Sequence, residues 1–369
     1  MSSQVLTSRL SPKLMELVKP NFKKKLSENF NPLMMEHIAK QHKLICMSAA
    51  AIKNVAYVGG DKSYVLIGSL ARLESALMKW SMRELVTKHE FIPVIVPNVL
   101  HDHIIERCGF PTKGQRSQVY KLAGSNEKSI LDDNAINLSN NDGKSLSCLA
   151  GTSEFALASI HIGDSIPAEE LPKKYCALSR CYRAETSNTA AEAGIYRVHY
   201  FNKVEMFAFT MPNESEKMHE HFLSVQKDLF NQLGLHYQVL DMPEHDLGLS
   251  AKRKFDIEAW LPARKRFGEI SSTSICDDYQ SSKLDIKYSQ MIEKDDQLQI
   301  DSGFVHTVNG TACSSIRTLI ALFEQHQTED QRVEIPEVLQ PYIGGRKYIP
   351  TEQDTAQLRE IDLYPNISE

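Results

Sequence analysis

The pattern of apolar and polar positions separates a broken beginning from a long, regular body. Pro12, Pro20 and Pro32 interrupt the first sixty or so residues. An apolar-periodic run from Leu33 to Val55 then ends in the turn signal Gly59-Gly60-Asp61. Over 69–88, Leu70, Leu73, Leu77 and Trp80 recur at three- and four-residue spacing, which predicts a helix with one apolar face. Phe91 to Val96 reads as a buried strand closed by Pro97. Residues 111–147 are polar and turn-rich and read as an excursion from the core, and 146–149 as a short strand. Tyr175 to Glu185 and Tyr196 to Phe209 alternate inward and outward residues, as two long strands joined by a loop would. Met218, Phe222, Val225, Leu229 and Leu233 predict an amphipathic helix over 214–233. Strands at Phe255 to Trp260, Phe267 to Ile270 and Phe304 to Val308 follow, the last running into a helix from about 312 to 326. Strands joined by hairpin-like loops, with helices between the groups, predict an α+β fold: a largely antiparallel sheet covered by helices.

Composition narrows the class. A length of 369 residues allows about two ordinary domains. The 42% hydrophobic and 24% charged content is that of a soluble globular protein. The net charge of −5 argues against a uniformly basic nucleic-acid coat. Seven scattered cysteines without a CxxC pair fit neither a disulfide framework nor a zinc ribbon, and read as buried thiols of a reducing compartment. No apolar run is long enough to span a membrane. Arg9, Lys13, Lys19, Lys23, Lys24 and Lys25 against the single acid Glu16 read either as an organellar targeting flank or as an exposed basic N-terminus.

The candidate chemistry lies where the two long strands meet. Paired antiparallel, they bring Arg183, Glu185, Phe201 and Glu205 to one surface. An arginine fork holds a phosphate or carboxylate, an aromatic ring stacks on a purine, and a carboxylate accepts from an amine or hydroxyl. The set suits an adenylate site, while a surface salt-bridge ladder accounts for the same spacing. Arg317, early in the last helix after Asn309-Gly310-Thr311, is a second arginine for a terminal phosphate or an ordinary exposed helix residue. Glu269 and Ser272 offer oxygens of the kind that hold Mg²⁺. His199 between the candidates reads as structural. There is no GxGxxG and no GxxxxGK[ST], so neither a Rossmann nor a P-loop site is supported.

The longer strings carry a resemblance. CYRAETSNTAAEAGIYRVHYFNKVEMF (181–207) resembles motif 2 of the class II aminoacyl-tRNA synthetases, and among them the seryl-tRNA synthetases. NGTACSSIRTLIALFEQHQ (309–327) resembles their motif 3. GSLARLESALMKW to FIPVIVP (68–97) resembles motif 1, LAGTSE (149–154) the serine loop, and KFDIEAWLPARKRFGEISSTSICDDYQ (254–280) the seryl-type strands. The wording is closest to the mitochondrial branch, and within it to insect paralogues that do not charge tRNA. The resemblance implies a class II catalytic domain at 65–345, between a short helical remnant at 1–64 and a tail at 346–369. It implies that Arg183 holds the α-phosphate and the serine carboxylate, that Glu185 faces ATP and that Phe201 stacks on adenine. Thr152, Glu154, Glu205 and Thr311 would form the serine pocket, Glu269 and Ser272 would coordinate Mg²⁺, and Arg317 would hold the γ-phosphate.

Three departures from the family pattern bear on function. The long N-terminal helical hairpin that grips tRNA reads as missing or vestigial, because no sustained heptad precedes Gly68. The loop between Arg183 and Arg197 has no basic residue and carries Glu185 and Glu192, with Ala193 where a bulkier or basic residue is usual. Ile275 stands in place of an asparagine and Ser282-Lys283 in place of an arginine pair. These readings favour a mitochondrial-matrix protein that no longer charges tRNA, with no firm cofactor. It would act as partner of the mitochondrial seryl-tRNA synthetase in a heterodimer, or as a homodimer. The surplus of Leu70, Leu73, Leu77 and Trp80 on the motif-1 helix would build the interface. The alternatives are an active seryl-tRNA synthetase using ATP and Mg²⁺, and a protein that binds mitochondrial tRNA or other RNA.

Overall fold

The computed structural model describes residues 59–60, 62–114, 117–122, 146–185, 194–294, 297–329 and 332–349. The expectations for the basic N-terminus, the 33–55 run, the hairpin, most of the motif-2 loop and the last residues lie outside these.

In chain order the elements are α1 (Ser69–Lys88), β1 (Ile92–Pro93), β2 (Val99–His101), α2 (Asp102–Arg107), β3 (Ser147–Leu149), α3 (Glu154–Ala158), β4 (Ser165–Pro167), β5 (Lys173–Tyr182), β6 (Tyr200–Thr210), α4 (Ser215–Gln232), β7 (Tyr237–Asp241), β8 (Arg253–Leu261), β9 (Arg266–Asp277), α5 (Tyr279–Leu284), β10 (Lys287–Lys294), β11 (Gln297–Phe304), β12 (His306–Ser314), α6 (Ser315–Gln325), β13 (Val333–Glu334) and β14 (Tyr348–Ile349). Seven strands form the main sheet in the order β1-β5-β6-β12-β9-β8-β7. Only the β1–β5 pairing is parallel. This is the α+β architecture of a class II synthetase core, an antiparallel sheet flanked by helices.

Period-two alternation along β6 explains the two faces. Val204, Met206 and Ala208 enter one core with Leu73 and Leu77 of α1, Phe222 and Leu229 of α4, and Leu319 of α6. Phe207 and Phe209 turn the other way, to Phe155 and Leu157 of α3 and Leu284 of α5. On β12 the pairing with β6 runs Thr311↔Glu205 and then Cys313↔Val204, so Ala312 is a β-bulge.

Several expectations are corrected by this packing. Leu73, Leu77 and Trp80 are buried in the chain's own core, and Leu70 packs against it, so the α1 face holds no surplus for a partner. Exposed apolar side chains do lie just after that helix, at Ile92, the fully exposed Ile95 and Val99, as they do elsewhere at Leu249, Leu298 and Ile300. Phe91–Val96 is not a buried strand, since only Ile92–Pro93 pairs, at the sheet edge, and both are exposed. The β7 strand and the β10–β11 hairpin are absent from the sequence reading. Tyr64 and Ile349 both belong to the main core.

Candidate active site

The sheet delivers the candidate residues from one face. On β6, Phe201, Lys203 and Glu205 alternate with core residues and point opposite to Val204 and Met206. Arg183 follows the end of β5, where its amide donates to the His199 carbonyl (2.9 Å) and extends the β5–β6 ladder. Asn309 and Thr311 of β12 stand across from Phe207 and Glu205. Glu154 opens α3, and Arg317 lies in the first turn of α6. All ten residues singled out in the sequence (Thr152, Glu154, Arg183, Glu185, Phe201, Glu205, Glu269, Ser272, Thr311 and Arg317) line one open cavity of about 280 Å³.

One end of this cavity is a buried carboxylate pair around an ammonium. Glu154 Oε1 accepts from Gln280 Nε2 (2.7 Å) and Asn309 Nδ2 (3.0 Å). Burial, and after it the charge of Glu205, push the Glu154 carboxyl up to about 7. Lys203 is ion-paired with Glu205, and its Nζ donates to Thr152 Oγ1 at 2.8 Å. Thr311 Oγ1 reaches Glu205 Oε2 only at 3.5 Å. Two carboxylates share one internal cation, so this end favours a further positive charge such as an ammonium.

The other end is cationic. The Arg183 guanidinium sits 5.3 Å from the centre of the Phe201 ring, and its Nε is buried without a hydrogen-bond partner among the described residues. Arg317 donates to Glu269 Oε2 (2.9 Å) and to the Glu269 carbonyl (3.2 Å). Its guanidinium lies 4.7 Å from the Tyr196 ring centre, and that of Arg264 4.8 Å from the same ring. Tyr196 in turn donates its hydroxyl to the Glu269 carbonyl (2.8 Å). Burial opposes charge on Glu269, but Arg317 and Lys254 outweigh it and hold the carboxyl below its ordinary range. Glu185, at φ 24° in the left-handed region, is buried and accepts from Arg197 (2.8 Å). Its carboxylate therefore enters the cavity wall already paired. His199 accepts or donates at Nδ1 with the Tyr120 hydroxyl (2.8 Å), a structural role as read from the sequence.

Among the described residues no group of three or more His, Cys, Asp or Glu side chains could hold a metal. Glu269 and Ser272 nevertheless fit Mg²⁺, which commonly takes one or two carboxylates and completes its shell with water and substrate phosphates.

Sequence reasoning missed Lys203, Asn309 and Gln280. The first two were within reach, because they alternate in step with Phe201 and Glu205 and with Thr311. Gln280 comes from α5, a short helix with no distinguishing pattern. The departure at Ile275 looks different in space. Ile275 pairs with Val308 and is buried on the α4 side of the sheet, whereas Ser274 and Asn309 beside it face the cavity. Ser282 and Lys283 do not line the cavity either, and the Lys283 ammonium sits over the Tyr279 ring.

Comparison with known proteins identifies the frame. Residues 137–326 match the tRNA synthetase class II core domain (G, H, P, S and T). The chain is 41% identical over 294 residues to the mitochondrial serine–tRNA ligase of Mus musculus, covering 79% of this chain and 52% of that protein. It is 34% identical over 320 residues to the serine–tRNA ligase of Rhodopirellula baltica, covering 86% and 68%. The crystal structure of seryl-tRNA synthetase from Pyrococcus horikoshii complexed with ATP superposes with a TM-score of 0.68 at 31% identity, over 81% of this chain and 61% of that one. The chain thus spans about half the length of the mouse relative and about two thirds of the R. baltica one. With the fold, the bipolar cavity and these similarities together, the chain belongs to the class II seryl-tRNA synthetase family.

Proposed function

We propose that the cavity binds serine and ATP with Mg²⁺ and joins them as seryl-adenylate, the first half of a seryl-tRNA synthetase reaction. The observation that carries this reading is the polarity of the cavity: a carboxylate-rich end for an ammonium, and a doubly arginine-walled end for phosphates. Thr152, Glu154, Glu205 and Thr311 hold serine. Arg183 holds the α-phosphate beside the serine carboxylate, Phe201 stacks on adenine, Glu185 borders the nucleotide, and Arg317 takes the terminal phosphate. Glu269 and Ser272 hold Mg²⁺, which supplies neutralisation of phosphate charge. The chain's own part is to align the serine carboxylate in line with the α-phosphorus and to fix cationic groups where charge develops. The test is serine-dependent ATP–pyrophosphate exchange by the purified chain. Exchange that requires serine and is lost in Arg183→Ala supports the reading, and none under saturating serine and ATP sinks it.

A second reading is favoured by the loop between Arg183 and Arg197, which carries no basic residue to meet an acceptor end. In it the chain is a non-charging paralogue in the mitochondrial matrix. It supports the mitochondrial seryl-tRNA synthetase as the second subunit of a heterodimer through the exposed Ile92, Ile95 and Val99, or contributes to mitochondrial RNA metabolism. Light scattering on mixtures of the two purified chains tests it. Two separate homodimers at every mixing ratio would rule out the heterodimer.

A further inference from the structure

The phosphate end of the cavity contains a cation that neither the sequence reading nor the reaction uses. Lys254 lies on β8 and lines the cavity. Its Nζ stands 2.7 Å from Asp256 Oδ1 and 4.0 Å from Glu269 Oε1. Asp256 is 6% exposed and sits opposite Ser272 in the β8–β9 register. The ammonium is thus surrounded by two carboxylates and a neighbouring strand position that carries a hydroxyl. Those are the hard oxygen donors a divalent ion takes. Without Lys254, Asp256 and Glu269 would be two nearby carboxylates, the first of them buried with no counter-charge on that side.

We infer that Lys254 is a resident cation in the seat of a divalent ion, so that Mg²⁺ enters the phosphate end only by displacing its ammonium. A lysine ammonium is a compact, strongly hydrated point charge on a flexible stem, so it can fill such a seat and swing out of it. Two consequences follow from charge alone. The chain without nucleotide binds divalent ions weakly, because the seat already holds a positive charge. A ligand phosphate arriving there meets Lys254 and Arg317 on either side of Glu269, so part of its neutralisation comes from the protein and not from the metal. This deepens the nucleotide reading of the same cavity, but its test uses no nucleotide, so the two can fail separately.

The experiment is Mn²⁺ titration of the full chain, followed by electron paramagnetic resonance of the free ion. Lys254→Met should bind at least about tenfold tighter than the unaltered chain, a difference of about 1.4 kcal/mol. Lys254→Arg, which keeps the charge, should stay at the unaltered affinity. Adding Asp256→Asn to Lys254→Met should abolish the gain. Equal affinity in the unaltered and Met chains, or a gain that survives Asp256→Asn, overturns the inference. If Lys254→Met does not fold, acetic anhydride labelling of the unaltered chain serves. Saturating Mn²⁺ should raise the acetylation rate of Lys254 by freeing its ammonium, and an unchanged rate overturns the inference.

Discussion

The two ends of the cavity are built by different means. At the serine-like end, the pairs Glu154–Asn309 and Lys203–Glu205 are joined through Thr152, whose hydroxyl accepts from Lys203 Nζ and from the Glu154 amide, and Lys203 and Glu205 are almost fully buried. At the phosphate-like end the cations rest on rings and on separate carboxylates: Arg183 on Phe201, Arg317 on Tyr196 and Glu269, and Lys254 on Asp256. The first end is a closed network in which losing any one charge strands another. The second is a set of separate, more exposed pairs, with the Glu269 side chain 37% exposed, and one of its cations, Arg183, still has a buried donor without a hydrogen-bond partner among the described residues. Stability is therefore concentrated at one end and unspent binding capacity at the other.

The hardest way to strain that contrast is Lys203→Met. It leaves Glu205 and Glu154 without their shared cation, and urea unfolding should show a loss of about 3–5 kcal/mol. Arg317→Ala should act the other way. Pyrophosphate exchange should fall by about 10²–10³-fold, as when one preorganised charge-stabilising group is removed, with a far smaller change in unfolding. A large drop in stability there, with exchange intact, would reverse the assignment of the two ends.

The next effect depends on pH. The folded chain holds the Glu154 proton more tightly than the unfolded chain, whose carboxyl has the ordinary value of 4.5. The group's contribution therefore costs stability as pH rises from about 4.5 to about 7, and levels off above. Glu154→Gln should remove that slope. Measured against the unaltered chain, its relative gain between pH 5 and pH 8 should reach at most about 3 kcal/mol. Binding of a ligand ammonium beside Glu154 should release protons near pH 6–7, visible as a buffer-dependent heat of binding. The smallest effect tests the sheet's far side. Ile275→Asn should cost about 1–3 kcal/mol by burying an amide beside Val308, and should leave ligand affinity at both ends unchanged.

Much of the site was legible because β-strand alternation is visible in sequence. Phe201, Lys203 and Glu205 share a face by counting alone, and the long strands and the 69–88 and 214–233 helices follow from apolar spacing. What was not legible depends on which face meets what. Ile275 counts in the sequence as a departure that bears on function, yet its alternation with Ser274 turns it away from the cavity, to pair with Val308 in the core. Leu73, Leu77 and Trp80 read as surplus for a partner because α1 was weighed without α4, α6 and the β6 core face that cover it. The edge pair Ile92–Pro93 shows the same limit, since an apolar run does not tell whether a second strand lies beyond it. Gln280 was out of reach for another reason, since its partner Glu154 lies far along the chain.

The bulge at Ala312 makes the spacing between two binding groups a matter of counting. Thr311 faces the cavity from the strand, and Arg317 returns to it from the first turn of α6, with Ala312 the extra residue between them. Each residue of a helix turns the next by about 100°. Deleting Ala312 would heal the strand and leave Cys313 opposite Val204, whereas deleting a residue between Cys313 and Arg317 would rotate Arg317 away from Glu269, while the apolar stripe of α6 turned with it. The stretch between Cys313 and Arg317 should thus tolerate exchanges of residue type far better than changes of length. In a collection of related chains, it should vary in letters but not in number.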